Sequence, residues 1–162
     1  MFDARVTNYA ALQYGFTMLE VMIVVAIVAL LSAIAMYGSF NFARSSETQA
    51  AADNVIAALS EARSLTLASK NDSQYGVHLE TGQVVLFSGA IYSSANQNNK
   101  IFAMPRGAYI SAVTLNGGGA DIIFTRLTGE TIGYGSVEIS SKSAGITSKT
   151  ITILSSGIFS AQ

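Results

Sequence analysis

From Val21 to Met36 the chain carries a single polar side chain, Ser32, and the apolar run reaches Tyr37. Few structures accommodate such a run. At about 1.5 Å of rise per residue, Phe16 to Tyr37 makes a helix of roughly 33 Å, enough to cross a hydrocarbon core of about 30 Å. Being apolar on every side, it has no face to offer water and needs lipid or other apolar helices around it. Glu20 stands at its head. A charged side chain at the centre of a span costs on the order of 2.5–3.5 kcal/mol on insertion scales, so an ionisable residue in such a run is read as functional and in need of a partner.

The stretch Gly15-Phe16-Thr17-Met18-Leu19-Glu20 can supply that partner. A cut between Gly15 and Phe16 would create an α-amino group one helical turn before Glu20, at the helix end that already favours negative charge. Between two molecules side by side in a membrane, the amine of one would reach the carboxylate of the next. The pattern resembles the N-terminus of type IV prepilins: Gly, then Phe, then Glu at mature position five, then a long apolar run. The resemblance implies that a prepilin peptidase cuts after Gly15, that Phe16 becomes the N-methylated first residue, and that Glu20 sets subunit register. The leader departs from the family, whose leaders usually carry more Lys or Arg; here Asp3 and Arg5 are the only charges before Gly15. Two other readings of the run stand beside this one. It could be a plain single-pass anchor with Glu20 at its interface, or a secretory signal cut after Ala33-Ile34-Ala35. A secretory signal asks for a basic start and a shorter apolar core.

A chain of 162 residues suggests one domain. Half of it is hydrophobic and 12% is charged, and the net charge is −1. Nothing in that balance forms an electrostatic footprint for nucleic acid. The chain has no Cys, which excludes disulfides and thiol chemistry. Many major pilins close a C-terminal loop with two Cys, so within the resemblance this chain falls among the Cys-free branches.

The period of the pattern divides the chain. Residues 1–15 read as a leader, 16–37 as a transmembrane and assembly helix, and 38–162 as a globular domain. Gly38-Ser39-Phe40-Asn41-Phe42 is a softer segment where a helix could bend. Ala52, Val55, Ile56, Leu59 and Ala62 then recur at spacings of three and four, predicting an amphipathic helix over about 44–70, with Lys70 at its end and Asn71 as its cap. From Gln74 the period becomes two. Tyr75, Val77 and Leu79 alternate, Thr81-Gly82 turns, and Val84 to Phe87 returns as a hairpin partner. Ser93 to Lys100 reads as a loop. Further strands are expected at 109–115, 122–124, 132–139, 151–154 and 158–159. The fold class is α+β: one long N-terminal helix, apolar and then amphipathic, packed on an antiparallel sheet domain of six to eight strands over about 74–160. With the resemblance, that is a pilin-like fold.

The globular part sharpens the resemblance. Ala58-Leu59-Ser60-Glu61-Ala62-Arg63-Ser64 is similar to the leucine-alanine-arginine signature of the minor pseudopilin H and minor pilin T group. Gly76-Val77, Ile122-Ile123-Phe124 with Gly129, and Ile151-Thr152-Ile153 before Gly157 are similar too.

Chemistry-bearing patterns are sparse. His78, the sole histidine, sits between Val77 and Leu79 in a strand and is expected to face away from the core rather than bind a metal. Gly133-Tyr134-Gly135 lacks the third glycine of a dinucleotide site, and no Lys or helix follows Gly117 to Gly119 as a phosphate loop would need. Glu80, Asp121, Glu130 and Glu138 fall on separate strands or turns. Asn71-Asp72-Ser73 fits a glycosylation sequon. Arg63 is expected to pack its stem on the sheet and bond carbonyls at the sheet's edge. The sequence therefore predicts no catalytic, metal or cofactor site and no enzyme.

The function expected is that of a structural subunit, a minor pilin or pseudopilin, of a type IV pilus or type II secretion pseudopilus. Its partners would be the prepilin peptidase, other pilin or pseudopilin subunits, and the bacterial inner membrane before assembly. It would be single-pass with the C-terminal domain extracytoplasmic, and no nucleic acid or small-molecule substrate is expected. The alternatives are a DNA-binding minor pilin of an uptake pilus and a membrane-anchored extracytoplasmic binding domain. Minor pilins that bind DNA carry a Gly-Arg-x-Arg pattern near the C-terminus; Gly157-Ile158-Phe159-Ser160 has no Arg.

Overall fold

The computed structural model describes residues 15–143, 145 and 148–162, with the side chains of 37–44 outside the description. The leader reading falls on residues 1–15, so only its last residue, Gly15, lies among the described ones. The chain divides into two compact units, Met1–Ser39 and Phe40–Gln162. The division falls inside the soft Gly38-to-Phe42 segment, although the helix α1, Met18–Leu67, runs through it without a break.

In the first unit, α1 starts on a capped turn: the Glu20 amide donates to Thr17 Oγ1 at 3.1 Å. That hydroxyl serves one of the amide groups a helix start leaves unpaired. Met18–Met36 is long and apolar enough to cross a membrane, and none of it is buried within the chain. Ser32 turns its hydroxyl back onto the Val28 carbonyl at 2.7 Å, hiding its polarity inside the helix.

In the second unit, the remainder of α1 lies against two four-stranded antiparallel sheets. The strands are β1 Tyr75–Glu80, β2 Gln83–Ser88, β3 Lys100–Ala103, β4 Ala108–Leu115, β5 Asp121–Ile123, β6 Gly135–Ser141, β7 Lys149–Ile153 and β8 Phe159–Ala161. One sheet has the order β3-β2-β1-β5 and the other β4-β6-β7-β8. The α+β architecture expected from the change of period is the one observed. Ala51, Ala52, Val55, Ala58, Leu59 and Ala62 of α1 are fully buried with Val77, Val84, Ile122, Phe124, Val137, Ile139 and Ile151 from both sheets. The alanines matter because small side chains let the helix backbone approach a sheet closely.

Three departures from the sequence reading exceed two residues. α1 ends at Leu67, not Lys70. Ser69 takes a left-handed conformation (φ 46°) and stops the helix, and a short 3-10 turn follows at Lys70–Asp72. Asn71, expected as the cap, is left-handed too (φ 55°) but lies inside the 3-10 turn, and Ser69 takes the left-handed position that follows the helix. The strand expected at 132–139 begins only at Gly135, where a side chain would run into the Thr114 carbonyl of the paired strand β4. Finally, β3 occupies Lys100–Ala103, where the polar pattern of the preceding loop concealed a short edge strand.

Candidate functional site

The residues named from the N-terminal pattern lie together at the start of α1. Gly15 is exposed and outside the helix, and Phe16 is 82% exposed. Glu20 is in the first turn, where the helix dipole favours its charge. Phe16, Glu20, Val21, Val24 and Val25 line a shallow groove of about 230 Å³. The same placement leaves Glu20 without an ion-pair partner among the described residues.

The other candidate cluster is around His78. Val77 and Leu79 face the core, so the strand period sends His78 and Glu80 to the opposite face, as expected. No spacing in the sequence joins these two with Asp121. The pairing of β1 with β5 does so, placing His78 opposite Asp121. The imidazole Nδ1 lies 2.5 Å from Asp121 Oδ1 and Nε2 lies 3.6 Å from Glu80 Oε1. Tyr92, from the loop after β2, stacks on the ring with centroids 3.9 Å apart, and its hydroxyl donates to Glu80 at 3.4 Å. Desolvation, helped by the Glu80 charge, raises the Tyr92 pKa above its ordinary value. The two carboxylates flank the ring from opposite nitrogens and do not converge on one point, and no group that could hold a metal occurs among the described residues. The arrangement clips a loop to a sheet face. Tyr92 carried no signal in the sequence, because a loop aromatic shows its partner only once the strands are paired.

Arg63 behaves as its position predicts. Its Nε donates to the Gly129 carbonyl at 3.4 Å. Gly157, at φ 74°, packs so closely on that carbonyl that any side chain would collide with it, and Gly129 is itself at φ 68°. Arg63, Gly129 and Gly157, far apart in sequence, thus form one corner where the end of the helix meets two turns. Glu130 and Glu138 have no ion-pair partner among the described residues.

Compared with known proteins, residues 11–36 match the family model of the prokaryotic N-terminal methylation motif. No curated protein and no solved structure matches the chain significantly. The matched segment contains Gly15, Phe16, Glu20 and the exposed apolar helix, the parts built above from geometry. The chain therefore carries a prepilin-type methylation motif at the head of an α+β architecture, and this supports a type IV pilin-like protein.

Proposed function

We propose that this protein is a non-enzymatic subunit, a minor pilin or pseudopilin, of a type IV pilus or type II secretion pseudopilus. The observation that carries the reading is the methylation motif over residues 11–36, coinciding with an apolar helix none of which is buried in its own chain. An apolar surface of that size requires an environment. In the membrane the environment is lipid; in a filament it is the same helix from neighbouring subunits. Burial in both states makes the transfer between them reversible, driven by a motor elsewhere in the machine. Glu20 supplies the specific term: alone among apolar helices it is costly, and paired with a neighbour's Phe16 amine it is compensated. The C-terminal unit then stands outside the cytoplasm on a single span. The Ala58-to-Ser64 signature and the Arg63–Gly129–Gly157 corner favour the minor pseudopilin H and minor pilin T group within that class.

The test is the mass of the mature protein from its own host. A chain beginning at Phe16 with one added methyl group is expected. A chain beginning at Met36, after the Ala33-Ile34-Ala35 site, or an intact Met1, overturns the reading.

A further inference from the structure

Asn116 is the one asparagine in the sequence that is followed by glycine. It follows the end of β4, is exposed, and opens the Asn116-Gly117-Gly118-Gly119 turn toward β5. The Gly118 amide donates to the Leu115 carbonyl at 3.0 Å, which places Asn116 and Gly117 at the two central positions of a tight turn. Gly117 takes φ 82°, and nothing lies within 4 Å of the place its Cβ would occupy. Its amide donates no hydrogen bond among the described residues. The Asn116 carboxamide is held at one point, where Nδ2 donates to the Ile132 carbonyl at 3.3 Å, long for such a bond. The exposed Asn71 and Asn98 differ on both counts. Each is followed by a residue with a side chain, and the following amide is engaged: Asp72 donates to the Ser69 carbonyl at 3.0 Å and Asn99 to the Asn96 carbonyl at 3.2 Å. Only at Asn116 does a carboxamide carbon stand beside an open main-chain amide, among the described residues.

We propose that Asn116 is a site of self-modification: deamidation through a cyclic imide, with water as the co-reactant. The Gly117 nitrogen, its proton lost to hydroxide, attacks Asn116 Cγ. The new C–N bond closes a succinimide ring while the Cγ–Nδ2 bond breaks, and Nδ2 departs as ammonia with a proton from water. Glycine favours the attack, because it has no Cβ beside the nitrogen and reaches the conformations the ring demands. Water then adds to one of the two ring carbonyls, and the bond from that carbon to the ring nitrogen breaks as the nitrogen takes up a proton. Opening at Cγ leaves aspartate at position 116. Opening at the main-chain carbonyl leaves isoaspartate, whose main chain runs through the side-chain carbons. One water is consumed and one ammonia released, with no change in oxidation state. Either product sets a carboxylate where Nδ2 donated to the Ile132 carbonyl, and adds one negative charge to a chain of net charge −1. Isoaspartate also lengthens the main chain next to the Asn116 amide, which donates to the Tyr134 carbonyl at 2.7 Å just before β6. The released ammonia makes the step one-way, so the converted fraction records the age of a subunit. The inference stands independently of the reading given under Proposed function.

The experiment incubates the full chain, purified in detergent, in heavy-oxygen water at neutral and at mildly alkaline pH. Peptides are then mapped by mass spectrometry, with aspartate and isoaspartate distinguished by electron-transfer fragmentation. Expected are labelled aspartate and isoaspartate at position 116, a transient species lighter by one ammonia, and faster conversion at the higher pH. Asn71 and Asn98 should stay intact over the same time. Gly117→Ala should slow the conversion by placing a Cβ beside the attacking nitrogen, although φ 82° strains an alanine there. Asn116→Gln leaves the main chain of the turn unchanged and should abolish the conversion, because its longer side chain closes a larger ring. An intact Asn116, or conversion no faster than at Asn71 and Asn98, overturns the inference. Aspartate with neither isoaspartate nor the lighter species shows direct hydrolysis and overturns the imide route. Conversion without the heavy-oxygen label arises during digestion and overturns it as well.

Discussion

One helix, α1, carries two regions of opposite design. Over Met18–Met36, apart from Glu20 and Ser32, its residues are apolar on every side, and all are exposed. Over 45–67 the buried positions are Thr48, Ala51, Ala52, Val55, Ala58, Leu59, Ala62 and Thr66, spaced one, three or four apart along one face. Asp53, Ser60 and Ser64 stay exposed on the other. The secondary structure is the same, so the difference lies in what each region asks of its surroundings. Among the described residues the first is not buried against the rest of the chain, and its apolar surface calls for an apolar environment. The second carries its partner with it, in two sheets.

The sharpest way to break this comparison is at Glu20. In Glu20→Gln, insertion and cleavage should persist, since a charge leaves the apolar run, while assembly loses about 3–5 kcal/mol because a neighbour's Phe16 amine enters the bundle without its counter-charge. Comparing the membrane pool with incorporation into filaments or crosslinked oligomers measures it. Incorporation equal to wild type would reduce Glu20 to an interfacial residue.

The next test pairs the same substitution in both regions. Leu59 is 0% exposed and Leu30 is 66% exposed. Leu59→Ala should destabilise the globular unit by about 2–5 kcal/mol, through lost burial and the cavity left behind. Leu30→Ala should change that stability by less than about 0.5 kcal/mol. Denaturant melts of the full chain in detergent, followed through the strand signal, decide between them. Comparable losses at both sites would mean that the apolar region does have a partner inside the chain.

The smallest effect concerns how the second region is fastened at its end. Thr66 is fully buried; its hydroxyl donates to the Ala62 carbonyl at 2.8 Å and accepts the Tyr75 amide at 2.9 Å. It joins the last turn of α1 to the first residue of β1. Thr66→Val preserves shape and leaves the Tyr75 amide buried and unpaired, at a cost of about 1–3 kcal/mol in the same melts. No loss would show that water replaces the hydroxyl there.

How much of this was readable beforehand differs between the same two regions. The apolar run, Glu20 at its head and the Gly15-Phe16 junction are local features, and their meaning depends on a medium rather than on other parts of the chain. The stripe from Ala52 to Ala62 and the change of period at Gln74 are local as well, because a helix or strand that buries one face must repeat its apolar residues at its own period. These fixed the fold class and the motif. Tertiary structure alone decided the division into two sheets, the pairing that sets Asp121 against His78, and the capture of Tyr92. Each of these joins residues from separate elements through strand register and loop path. Register is set by the sum of packing over whole faces. Polar and charged side chains on the outer faces follow that register wherever it carries them, so their own sequence leaves no periodic trace of where they will meet.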